Sequence, residues 1–309
     1  MKILICALII AIFILILMSM AIFFFLGDRR AKVDKIFDSI VPSESYIEIR
    51  DRKYTDRQWV ESQEYSEHYI TSYDGKRLYA RYIKANSDVP SDRLVICVHG
   101  FHSNGVKEFS SIAKFYLEHG VNVLLTDQRG NGKSEGYIMT FGAREQKDVM
   151  EWVAYAREYL PENKFLALHG MSMGSASVLL CADKLDPEYV KCVIGDCGYG
   201  NTVEQIVYSI NSLHLPGRFF MLLYSTVCLV LRIYNPFKLS PLESVSKCSV
   251  PVVIAHGECD QVVPVKMAYE LYDACEDRGG KLVEAIGADH TQAFFYDEEY
   301  GKVVLEMLA

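Results

Sequence analysis

Lys164-Phe165-Leu166-Ala167-Leu168-His169-Gly170-Met171-Ser172-Met173-Gly174-Ser175-Ala176-Ser177-Val178-Leu179-Leu180 decides how the rest of the chain is read. Lys164 to His169 is a short apolar run of the kind that forms a buried strand, and the residues from Ser175 onward open a helix. Between them stands G-x-S-x-G. A strand that turns straight into a helix needs a sharp, strained turn, and glycines flanking the serine let the two backbones approach. The Ser172 hydroxyl is then presented above a sheet, where the helix N-terminus offers N–H groups and partial positive charge to a developing oxyanion. Ser172 is therefore the expected nucleophile.

Working outward, short apolar runs alternate with helical stretches. Strands are expected at 94–98, 121–126, 164–168, 190–195, 251–255 and 281–286, with helices near 106–119, 143–159, 174–184, 264–276 and 292–308. That alternation predicts βαβ units, hence a mostly parallel sheet with helices on both faces, and places the site at the carboxyl ends of the strands. Upstream, Tyr69 to Tyr73 and Leu78 to Ile83 flank Asp74-Gly75 as a hairpin, so the globular domain is expected to run from 68 to 309. Between Cys197 and Val250 lie about fifty residues where one crossover helix would suffice. A helical cap inserted after strand six, at about 198–249, accounts for them. Within it Phe219 to Leu231 carries no charge. It is too short to span a bilayer and reads as a helix buried against the core, with an acyl-chain groove or a membrane-facing surface as the alternative.

An activated serine needs a base, and the base needs an acid to orient it. His290, in Gly287-Ala288-Asp289-His290-Thr291, follows the last strand on a loop able to reach Ser172. His99, His169 and His256 each precede a glycine at a strand end, and for His169 and His256 a satisfied buried histidine is the simpler reading. Asp260 follows strand 251–255 and gives the order Ser, Asp, His. Asp196, at the end of strand 190–195, is its rival, whereas Asp127 is expected to tie down a structural loop. The oxyanion donors are expected to be the backbone N–H groups of Phe101, in the loop after strand 94–98, and Met173.

The first 27 residues read as a membrane anchor. Ile3 to Leu26 is 24 residues without a charge, beyond the roughly 20 a spanning helix needs, and no cleavage site follows it. Residues 28–67 are charged and loosely patterned, as a juxtamembrane stalk would be. Arg29, Arg30, Lys32 and Lys35 after the span favour a cytoplasmic domain by the positive-inside rule. The net charge of −8 and the lack of a basic block exclude nucleic acid as an expected partner. Nine cysteines at irregular spacing match neither a disulfide framework nor a zinc site, and read as free core thiols in a reducing compartment.

Taken together, His99-Gly100-Phe101, Asp127-x-Arg129-Gly130-x-Gly132-x-Ser134, Gly170-x-Ser172-x-Gly174, Asp196-Cys197-Gly198-Tyr199, His256-Gly257-x-x-Asp260-x-x-Val263-Pro264 and Ala288-Asp289-His290 resemble the α/β-hydrolase superfamily. They are most similar to membrane-bound cell-surface hydrolases of Gram-positive bacteria. The resemblance implies the α/β-hydrolase fold, an esterase-like activity and a triad on Ser172, Asp260 and His290; its cell-surface setting opposes the cytoplasmic one suggested by charge. The expected function is hydrolysis of a carboxylic ester or thioester, on a small-molecule or lipid-like acyl substrate, without metal or organic cofactor. The competing readings are a peptidase on short peptides and a catalytically silent, membrane-tethered binding module.

Overall fold

The computed structural model describes residues 14–24, 27, 44–85 and 91–308. The apolar runs within them form one eight-stranded sheet ordered β1-β2-β4-β3-β5-β6-β7-β8. Its strands are β1 (Ser66–Thr71), β2 (Arg77–Ile83), β3 (Arg93–Val98), β4 (Asn122–Asp127), β5 (Phe165–Met171), β6 (Val190–Asp196), β7 (Val252–Gly257) and β8 (Lys281–Ala285). The β1–β2 hairpin turns at Asp74-Gly75 and pairs antiparallel to β4, while the strands from β4 through β3 and β5 to β8 run parallel. The chain steps from β3 outward to β4, then crosses back to lay β5 on the other side of β3. That reversal leaves a crevice at the carboxyl ends of β3 and β5, where open α/β sheets bind ligands.

Alternation along each strand feeds two cores. Leu94, Ile96 and Val98 of β3 point to one face and Val95 and Cys97 to the other. From residue 44 onward the helices in chain order are α1 (Glu44–Ser62), α2 (Gly105–Glu118), α3 (Glu145–Tyr159), α4 (Met173–Leu179), α5 (Thr202–Ser212), α6 (Gly217–Val230), α7 (Pro241–Ser246), α8 (Lys266–Asp273), α9 (Ala293–Tyr296) and α10 (Glu298–Leu308). Trp152 of α3, Val178 of α4 and Leu271 of α8 cover the first face; Phe109 and Tyr116 of α2 and Val304 of α10 cover the second. The single helix expected over 292–308 is broken at Asp297, whose carboxylate accepts from Glu299 N at 2.8 Å and so caps a new start. The helix expected over 174–184 stops at Leu179 and continues as a 3-10 turn, Ala182–Lys184.

Between β6 and β7 the chain builds α5, α6, a 3-10 turn at Pro236–Lys238 and α7. Ile206 and Ile210 of α5 meet Met221, Tyr224 and Cys228 of α6 in a core separate from both sheet faces. The uncharged run Phe219 to Leu231 thus buries one side and leaves Leu222 and Val230 exposed.

The apolar N-terminus requires a correction. Among the described residues no helix is long and apolar enough to cross a membrane. The single-pass anchor and cell-membrane localisation expected from Ile3 to Leu26 are not supported. Residues 1–13, 25 and 26 lie outside the described residues. Residues 14–24 are helical, and Phe23 is only 2% exposed, its ring stacked on Tyr224 of α6 at 5.8 Å. An apolar run reads identically whether protein or lipid covers it. Within the stretch expected to be a stalk, residues 44–62 form α1, which lies on α2 with Val60 buried and Asp56 bonded to Lys114 at 2.9 Å. Residues 28–43 lie outside the described residues.

A buried polar chain ties the sheet to its helices beneath the crevice. The Tyr300 hydroxyl of α10 donates to Asp196 Oδ2 at 2.8 Å and accepts from His169 Nε2 at 2.9 Å; His169 Nδ1 in turn accepts from the Tyr116 hydroxyl at 2.9 Å. Burial pushes the His169 pKa down to about 3, so the ring is neutral and this donor order is self-consistent.

Two outcomes are expected. Phe23→Ala should lower unfolding stability by about 2 kcal/mol, the value of burying one such ring, measured by urea denaturation; an unchanged midpoint would mean that the ring is not docked on α6. Tyr300→Phe should cost about 1–3 kcal/mol, because it strands the Asp196 carboxylate and the His169 N–H without partners. A Tyr300→Phe protein melting with the parent would remove this chain from the account of stability.

Candidate active site

Ser172 joins β5 to α4 at φ 56°, ψ −119°, a left-handed conformation costing a non-glycine residue about 1–3 kcal/mol. Its N–H donates to the Asp196 carbonyl at 2.9 Å, which ties the turn to the end of β6. The glycines on either side are required by contact. A Cβ on Gly170 would fall inside the Gly174 carbonyl, and one on Gly174 would strike the carbonyls of Val98 and His99 at the end of β3. Because α4 starts flush against β3, the loop after β3 also closes on the serine: a Cβ on Gly100 would lie 3.0 Å from Ser172 Cβ.

The loop after β8 brings His290 over this turn. His290 Nε2 lies 3.0 Å from Ser172 Oγ, and Nδ1 lies 2.7 Å from Asp260 Oδ2. Asp260, in the loop after β7, also accepts at Oδ1 from the N–H groups of Val262 and Val263, each at 2.8 Å. His256 Nε2 lies 3.2 Å from Asp260 Oδ2 and 2.9 Å from the Val263 carbonyl. The place of His256 at a strand end predicts a satisfied buried histidine, and its Val263 contact meets that expectation. In the fold its ring also supports the carboxylate, and the signal was its spacing of four residues from Asp260 within one strand-end loop.

Electrostatics follow from these partners. Burial alone would raise the Asp260 pKa, but the His290 charge and hydrogen bonds from His256 and His290 hold it well below the usual carboxylate range. For His290, burial acts downward and is outweighed by the Asp260 charge, which raises the imidazole well above its ordinary 6.5. The neighbouring Cys197 thiol is pushed up to about 12 by burial and is neutral near pH 7, so the rise rests on Asp260. Among the described residues, ligand-type atoms of Cys197, Asp260 and His290 lie within 4.8 Å of one another. Two of the three are already engaged along the Ser172–His290–Asp260 line, and the third is a protonated thiol.

The remaining residues singled out in the sequence fall elsewhere. Asp196 turns its carboxylate toward Tyr300, and its pKa is raised to about 6 by burial, against the Tyr300 hydrogen bond. Asp127 accepts from Gly105 N at 3.1 Å and Lys133 N at 2.8 Å, pinning the 127–134 loop. His99 stays neutral through burial, accepts at Nε2 from Gln128 N at 2.9 Å and donates from Nδ1 to the Gly100 carbonyl at 2.6 Å. This fixes the loop that carries Phe101. Among the described residues the N–H groups of Phe101 and Met173 donate to no other backbone carbonyl. The Phe101 ring stacks on Phe141 at 5.7 Å, which meets Tyr224 of α6 edge-on at 6.2 Å. Aromatic side chains thus connect the crevice to the helical insert.

Comparison with known proteins agrees with this architecture. A family model described as the alpha/beta hydrolase fold matches residues 93–214. The uncharacterised protein YqkD of Bacillus subtilis is 29% identical over 230 residues, covering 74% of each chain. Among solved structures, the Pyrococcus furiosus esterase Pf2001 superposes with a TM-score of 0.65 at 24% identity, over 80% of this chain and 92% of that one. The Pyrococcus horikoshii acylaminoacyl peptidase superposes at 0.58 and 17% identity, over 81% of this chain and 43% of its own. None of these likenesses bears on the membrane-bound, Gram-positive character implied by the sequence resemblance. By the family match over residues 93–214, the eight-stranded sheet and these structural likenesses, the chain has the α/β-hydrolase fold.

Proposed function

We propose that this protein is a serine hydrolase that cleaves a carboxylic ester or thioester through an acyl-enzyme, with Ser172 as nucleophile, His290 as general base and Asp260 as its orienting acid. The observation that carries the reading is one imidazole bonded to both partners, 3.0 Å from Ser172 Oγ and 2.7 Å from Asp260 Oδ2. In this mechanism Oγ attacks the carbonyl carbon as its proton passes to His290 Nε2. The oxyanion that forms is held by the N–H groups of Phe101 and Met173. His290 then gives the proton to the departing alcohol or thiol, and a water molecule repeats the sequence to release the acid. Asp260 keeps the proton on Nδ1 and stabilises the imidazolium that forms in each half-reaction.

The strained Ser172 also speaks against a silent binding module, which gains nothing from holding a serine in a costly conformation beside a histidine. An acylaminoacyl peptidase shares the fold, so amide cleavage is the second reading. Rates on p-nitrophenyl esters against aminoacyl amides separate the two.

A fluorophosphonate probe should label the protein at Ser172 and leave Ser172→Ala unlabelled. Asp260→Asn should slow ester turnover by about 10⁴, far more than Asp196→Asn. Labelling that survives in Ser172→Ala would sink the mechanism, and a larger effect at Asp196 would move the acid there.

The pH profile has a sign fixed by the base. His290 works only when neutral, and its pKa lies above 6.5, so kcat/KM should fall as pH drops through that raised value. The acid limb of the profile is expected above pH 6.5; a limb centred lower would contradict the charge coupling to Asp260.

A further inference from the structure

Thr291, directly after His290, has φ 60°. A β-branched residue in the left-handed region is an outlier that persists only where its surroundings impose it. On one side the loop is tied to the acid-bearing turn, since Asp289 Oδ1 accepts from His290 N at 2.7 Å and from Gln261 N at 3.1 Å. On the other side the constraint comes from a distant part of the chain. Lys53 Nζ, on α1, donates to the Thr291 carbonyl and to Thr291 Oγ1, both at 3.2 Å. One bond fixes the direction of the Thr291 carbonyl and the other fixes its side-chain rotamer, so the ammonium braces the residue on both its backbone and its side chain.

We propose that Lys53 is a positioning residue for His290, reaching from α1 to hold Thr291 in the conformation that aims the imidazole at Ser172. The inference rests on the serine hydrolase reading for its effect on rate. Lys53 is itself held in place. Its ammonium stands 5.3 Å from the centre of the Phe295 ring on α9, and the Arg52 guanidinium lies over the same ring at 5.2 Å. Burial lowers the Lys53 pKa, while Glu108 of α2 and Asp196 of β6 act the other way. α1 is anchored on α2 by Val60 and by the Asp56–Lys114 pair. The ammonium is therefore presented to the loop carrying the base from a helix that is itself packed in place.

Lys53→Met removes the donor and keeps the apolar stem; Lys53→Arg keeps a donor. In the full-length chain, Lys53→Met should lower kcat and the rate of fluorophosphonate labelling by about 10- to 100-fold with KM little changed, as expected for a misplaced catalytic group. Amide exchange should quicken at residues 288–292, and the low-field proton resonance of the His290–Asp260 hydrogen bond should broaden. Lys53→Arg should recover labelling and exchange together. Faster exchange with unchanged labelling, or slower labelling with unchanged exchange, would overturn the proposal. If the parent and Ser172→Ala proved equally unreactive, the serine mechanism would fail alone. The exchange rates at 288–292 would then still decide whether Lys53 holds the loop.

Discussion

The chain can set a hydroxyl above its sheet only by keeping Ser172 in a backbone conformation that side-chain-bearing residues avoid. That constraint propagates outward. It requires glycine at 170 and 174, because the helix must begin against the carbonyls of β3. It brings the loop after β3 against the serine, and it uses the Asp196 carbonyl at the end of β6 as an acceptor. Three neighbouring strand ends are therefore fixed by one turn, and the crevice between β3 and β5 is already in place before any side chain is considered.

Two aspartates at the ends of adjacent strands show how partners decide chemistry once burial is shared. Asp260 and Asp196 are both buried. Asp260 is surrounded by donors, two backbone N–H groups at Oδ1 and the rings of His290 and His256 at Oδ2, and its charge is favoured. Asp196 has the Tyr300 hydroxyl at Oδ2, and its Oδ1 has no partner among the described residues, so burial prevails and its pKa rises. The first arrangement suits a group that must remain an anion beside an imidazolium. The second belongs to a polar chain that ties β5 and β6 to α2 and α10.

The N-terminal part contributes more to the globular unit than its composition suggests. Phe23 completes the core of the helical insert, and α1 covers α2 while sending Lys53 to the loop after β8. Both contacts join residues far apart in the chain, and both use ordinary forces, ring stacking and a charged hydrogen bond. Neither has a local signature. An apolar run gives the same hydropathy for lipid and for a protein groove, and a lysine in a charged helix resembles every other solvated lysine.

What the sequence determined by itself was whatever depends on short-range pattern. Short apolar runs separated by helical stretches specified the parallel sheet, the D-G pair specified the hairpin, and G-x-S-x-G between a strand and a helix specified the sharp turn at Ser172. Chain order and loop position were enough to name His290 and Asp260 and to leave Asp196 as an alternative. Only the tertiary structure decided which aspartate faces the imidazole, because both stand at strand ends and the difference lies in where the loop after β8 descends. It alone broke the last helix at Asp297, drew His256 to Asp260, docked Phe23 on Tyr224 and brought Lys53 to Thr291. Each of these depends on distances between segments that are remote in sequence, and such distances exist only after the sheet has closed and the helices have packed on it.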